Sequence, residues 1–216
     1  MNEKQSSNPG DVSDIIRGIN QYYQEITVTD VTGHCPYGHR KGEIFRVTGM
    51  NHDCLCGAFY QAIHGPIQIQ EYRGSLPWEQ QPDMFHTVCP EMGKVHIASR
   101  RRENDDPTTC LRTRTDINDM TGKGFPVLDK YKIFLEVMSI EHTCTWGHKI
   151  GERCEVDPFN AGKACGSLYR AAYPFITMLL YGCLPPWVSR DEPVIIGVCP
   201  DPYDLLTYRL VREERQ

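Results

Sequence analysis

Two short stretches carry a cysteine and a histidine at the same spacing: CPYGH at 35–39 and CTWGH at 144–148. Thiolate and imidazole are donors that suit zinc or iron–sulfur centres better than magnesium or calcium. A C-x3-H loop lets both side chains turn toward one point, and Gly38 frees the backbone between them.

The rest of the chain follows the same rhythm. At an offset of 109 residues Cys35 falls on Cys144, His39 on His148, Glu43 on Glu152, Cys56 on Cys165, Tyr60 on Tyr169 and Trp78 on Trp187. Between 35–78 and 144–187, 15 of 44 positions are identical without a gap, where average residue usage gives about three by chance. After one inserted residue Cys89-Pro90 falls on Cys199-Pro200. This is a tandem duplication.

The duplication sorts the reactive residues. Ten cysteines reduce to three matched pairs and eight histidines to one. Each copy keeps Cys35, His39, Cys56 and Cys89, or Cys144, His148, Cys165 and Cys199. Three cysteines and a histidine are the four donors of a tetrahedral metal site, so these eight residues are the candidate ligands. The spacing is not that of a standard zinc finger, because two cysteines of each set are remote and must converge from elsewhere in the fold. Cys56 and Cys165 open a helix, where the dipole favours thiolate. Cys-Pro also ends iron–sulfur ligand runs. Glu43 and Glu152 are candidate acceptors for the histidines. Two other readings stand beside the metal one: small buried cysteines that only pack, or a thiol and acid–base site without metal. CPYGH lacks the second cysteine of a haem-attachment motif. Cys54, Cys110, Cys154 and Cys183 have no counterparts and receive no role.

The elements that must position these residues read as α+β. Each copy runs strand, C-x2-G-H loop, strand, helix, strand, strand, giving two homologous ββαββ repeats packed as a pseudo-twofold unit. Strands are expected at 26–31 and 132–137, then near 43–47 and 152–156. Paired strands follow at 84–89 with 94–99 and at 194–199 with 205–211. Leu168, Ala172, Phe175, Ile176 and Leu179 mark an amphipathic helix, inside which Pro174 should cause a kink or break, as Pro66 should in the first copy. Trp78 and Trp187 are expected as core corners, Tyr60 and Tyr169 as packing residues. The division is an N-terminal extension with a short helix at about 11–24 (1–24), repeat 1 (25–102), a polar linker (103–129) and repeat 2 (130–216). His52, His64, His86 and His96 belong to the first copy alone.

Composition narrows the function. A net charge of −5 gives no basic footprint for nucleic acid; Arg100–Arg102 form a short run that acidic residues follow at once, read as a solvated strand end. No apolar run reaches membrane-spanning length and no secretory h-region opens the chain, so a cytoplasmic protein is expected. Cysteines in such a reducing compartment point to metal or redox chemistry rather than disulfides.

The pattern C-x2-G-H-x2-G-E, C-G, P-W, C-P-D-P resembles an uncharacterised family of small prokaryotic proteins frequent in anaerobes. The second copy carries it in full, through Cys144, Gly147, His148, Gly151, Glu152, Cys165, Pro186, Trp187 and Cys199–Pro202. The first departs after its last cysteine, where Glu91 and Met92 replace Asp201 and Pro202. The resemblance implies anaerobic redox metabolism and a small accessory subunit. The leading expectation is therefore a metal- or iron–sulfur-binding redox protein, with zinc or iron in one Cys3His centre per repeat. Its partner would be a larger enzyme subunit or a second copy of itself. The rivals are a stand-alone enzyme on a small substrate, aromatic or not, in the cleft between the copies, with His39 or His148 as acid–base and a cysteine or metal-bound water, and a zinc-stabilised interaction module.

Overall fold

The computed structural model describes residues 17–90, 93–108, 130–159 and 161–215. In chain order its elements are β1 (Tyr22–Val31), β2 (Ile44–Val47), α1 (Gly57–Glu71), β3 (Met84–Val88) and β4 (Val95–Glu103). Then come β5 (Tyr131–Ser139), β6 (Arg153–Val156), α2 (Gly166–Leu180), β7 (Val194–Val198) and β8 (Thr207–Glu214). The strands form two four-stranded antiparallel sheets, ordered β2-β1-β4-β3 and β6-β5-β8-β7. The fold is α+β.

Alternation in the strands decides which face is covered. Ile26 and Val28 of β1 and Ile133, Leu135 and Val137 of β5 are buried, with partly exposed residues between them. Phe59, Tyr60, Ile63 and Ile67 of α1, and Leu168, Tyr169, Ala172 and Ile176 of α2, are buried at helical spacing. Pro66 and Pro174 lie inside helices that nevertheless run 15 residues each without interruption. The division expected at these prolines does not occur.

A register shift interrupts the central pairing of each sheet, between Val28 and Asp30 and between Val137 and Ser139. Just at that bulge the carbonyl of Val28 accepts the N–H of Gly42, and that of Val137 the N–H of Gly151. These bonds tie the end of each C-x2-G-H loop onto the central strand.

The two halves meet at their helix starts. The N–H of Gly57 donates to the carbonyl of Phe159 at 2.6 Å, and the N–H of Gly166 to that of Met50, also at 2.6 Å. A Cβ on Gly57 would overlap the Tyr169 hydroxyl, and one on Gly166 the Tyr60 hydroxyl. Those hydroxyls donate to carbonyls of their own half, Tyr60 to Gly49 and Tyr169 to Asp157, at 2.8 Å each.

Several expectations change. Residues 17–19 are helical, but β1 begins at Tyr22, so the strand takes the last residues of the helix expected to run to 24. Strand β4 continues to Glu103 and absorbs the arginine run. There Arg100 approaches Asp83, Arg101 donates to the carbonyl of Gln70, and Arg102 pairs with Glu25 at 2.7 Å. Trp78 and Trp187 are not core corners: they are 72 % and 76 % exposed. The linker stretch 109–129, with Cys110, lies outside the described residues. Among the described residues no helix is long and apolar enough to cross a membrane.

Candidate metal centre

In the first half one small apolar-walled pocket is lined by Cys35, His39, Cys56 and Cys89, together with Tyr37, Lys94 and Phe159. The remote cysteines converge because each closes a different element. Cys35 opens the loop after β1, Cys56 caps α1, and Cys89 follows β3. Phe159 enters from the second half, so the pocket wall depends on the contact between halves.

In the second half Cys165 lies near enough to Cys144 and Cys199 for the three to influence one another's ionisation. Burial pushes Cys144 and Cys199 up to about 11, and it raises Cys165 well above the usual thiol range. Each of these sulfurs nevertheless faces backbone donors. Backbone N–H groups beside them act to lower their pKa: those of His148 and Gly147 at Cys144, of Leu168 and Ser167 at Cys165, and of Asp201 at Cys199. The bond from Leu168 to Cys165 measures 3.4 Å and forms the N-cap of α2. A neutral thiol is a weak acceptor, whereas a thiolate accepts N–H strongly. These N–H groups favour the sulfur anions, whereas burial and, at Cys144 and Cys199, the neighbouring Asp204 carboxylate disfavour them. A cation at the site would resolve that conflict.

Both histidines reach the site, each with its lone pair already directed to the backbone. Nε2 of His39 accepts the N–H of Cys56 at 3.1 Å, and Nε2 of His148 accepts that of Cys165 at 3.2 Å. The backbone can only donate, so the network assigns the ring proton to Nδ1. From there it is donated to Glu43 at 3.2 Å and to Glu152 at 3.0 Å. In this arrangement the histidine orients the cysteine at the helix start. Among the described residues, no three His, Cys, Asp or Glu donors already meet at a metal's ligand distances.

Sequence reasoning passed over Asp204. It is 2 % exposed, and its carboxyl lies close enough to the Cys144 thiol to push that thiol up. Its first-half equivalent is no acid, so a search restricted to matched residues could not find it. The signal available was its place five residues after Cys199, in the turn that returns the chain to β8.

The unmatched cysteines divide by environment. Cys154 takes the position of Phe45, 109 residues earlier, and is buried on β6 as a packing residue. Cys183 is exposed. All nine described cysteines are free thiols. Comparison with known protein families, with curated proteins and with solved structures finds no match.

Proposed function

We propose that each half holds one thiophilic metal ion or iron–sulfur cluster, through Cys35, Cys56 and Cys89 or through Cys144, Cys165 and Cys199. His39 and His148 position the helix-start cysteine. The carrying observation is the convergence of Cys35, Cys56 and Cys89 from three different elements on one pocket, with backbone N–H groups beside the matched sulfurs of the second half. Zinc would supply rigidity at such a site, and a cluster one-electron chemistry tuned by those N–H···S bonds. In this reading the two halves are homologous ββαββ repeats about a pseudo-twofold axis. The matched sheet orders and the reciprocal contacts at Gly57 and Gly166 support that relation.

The protein acts, in this reading, as an accessory redox subunit for a larger enzyme of anaerobic metabolism. Trp78 and Trp187, exposed at matched positions, and Ile196 and Val198, exposed on the edge strand β7, offer apolar surface for that partner. Purification without oxygen, followed by a visible spectrum and metal and sulfide analysis, is the test. A brown protein with iron and sulfide supports the redox role. Colourless zinc makes the sites structural and the protein an interaction module. Absence of any metal overturns the proposal.

A second reading, an enzyme acting on a small molecule, draws on a cavity of about 300 Å³ where the halves meet. His64 and Glu71 of α1, Ser167 and Arg170 of α2, and Asp201 line it. With the lone pairs of His39 and His148 directed to the backbone, acid–base work in that enzyme would fall to His64 and Glu71.

A further inference from the structure

The two thiol sites differ in the turn between their last cysteine and the strand that follows it. The carbonyl of Lys94 accepts the N–H of Thr32 at 2.7 Å, and the carbonyl of Asp204 accepts that of Glu141 at 3.2 Å. Thr32 and Glu141 follow β1 and β5 at the repeat offset of 109. In this turn the fold brings a lysine to one site and an aspartate to the other.

Asp204 lies beside the Cys144 thiol and the backbone N–H of Thr145, and its Oδ1 is buried with no hydrogen-bond partner. It also acts on Cys199 across the site. A buried carboxylate oxygen without a donor needs a cation or a proton, and a carboxylate is an accepted fourth ligand of thiolate-bound zinc. Lys94 lines the pocket of Cys35, Cys56 and Cys89. Its ammonium has only donors and cannot ligate a metal, but it offsets the charge of three thiolates and attracts anions.

We infer that the two centres are unequal. Cys144, Cys165, Cys199 and Asp204 form a closed four-ligand site with a structural role. Cys35, Cys56 and Cys89 leave the fourth position to an outside ligand, a small anion held beside Lys94. The inference rests on the metal reading above and adds which half is open.

Cobalt(II) loading of the full chain without oxygen provides the test, because its visible bands report the ligands of each site. Azide is the exogenous anion. The wild type takes up cobalt in both halves, and azide shifts the bands of one. Asp204→Asn weakens cobalt binding in the second half by about 10–100-fold, the scale of losing a supporting ligand interaction, and makes that half respond to azide as well. Lys94→Gln, which keeps the length of the side chain, weakens the azide response at unchanged cobalt stoichiometry. An azide-insensitive wild type overturns the inference, as it would if His39 swung in to close the first site. So does an Asp204→Asn chain with unaltered cobalt affinity. A wild type that takes up no cobalt sinks the metal reading itself, before azide is added.

Discussion

Nε2 of His148 accepts the backbone N–H of Cys165 at 3.2 Å, so the histidine holds the residue that opens α2. His148→Ala leaves that buried N–H without an acceptor, at a cost of about 1–3 kcal/mol in stability. Metal affinity in the second half should drop about 10–100-fold, as when an outer partner is lost. Cys165→Ser should instead abolish that centre. Thermal unfolding and a competitive chelator titration separate the two effects. Complete loss of the centre in His148→Ala would show that the histidine is a ligand.

Tyr60 and Gly166 couple the halves, with Tyr169 and Gly57 as their counterparts. Gly166→Ala puts a methyl group where the Tyr60 hydroxyl lies, and that hydroxyl is fixed on Gly49 at 2.8 Å. Overpacking of this kind costs about 1–3 kcal/mol. Because the site cysteine Cys165 precedes Gly166 directly, metal affinity should weaken together with stability. Chemical denaturation of Gly166→Ala and Gly57→Ala measures the cost. Wild-type stability in both would mean that the helix starts are not the joint between halves.

Much of the sheet could be read from residue type. The alternation at 26–31 and 132–137 marks the central strands, and the 109-residue offset pointed to the cysteines that line one pocket in the first half and cluster in the second. What escaped has physical reasons. Trp78 and Trp187 look like core residues by type, but their segments leave the helix at the surface, and nothing local reports that. Pro66 and Pro174 each remove one helical hydrogen bond, yet the buried faces of α1 and α2 hold each helix together. The role of the histidines depends on a bond to a backbone N–H 17 residues away, which no side-chain pattern encodes. Asp204 was hidden because the first copy holds no acid at its place in the turn, and divergence between copies defeats a search for sameness.

Glu71 and His52, both buried in the first half, give stability an asymmetric pH profile. Burial pushes Glu71 up from 4.5 to about 8, while its Oε1 accepts the N–H of Gly49. Its folded form keeps a proton that the unfolded form releases, so its contribution falls as pH rises from 4.5 to 8. Burial lowers His52 from 6.5 to about 4, so its contribution grows with pH across that interval and is complete above 6.5. The two oppose each other in mildly acidic solution, which leaves a decline between pH 6.5 and 8. At about 1.4 kcal/mol per pH unit for one proton, the decline reaches about 2 kcal/mol. Urea unfolding across that range should show it in the wild type and lose it in Glu71→Gln. A flat wild-type profile, or an equal slope in the variant, would contradict the assignment.

The central claim, one sulfur-held metal centre per half, is tested most directly by counting metal per chain in protein purified without oxygen. The wild type should carry two centres. Cys56→Ser and Cys165→Ser should each carry one, the double variant none, and Cys183→Ser, which alters an exposed thiol outside both sites, the full two. Metal content unaffected by Cys56→Ser and Cys165→Ser, or lowered as much by Cys183→Ser, would contradict the account.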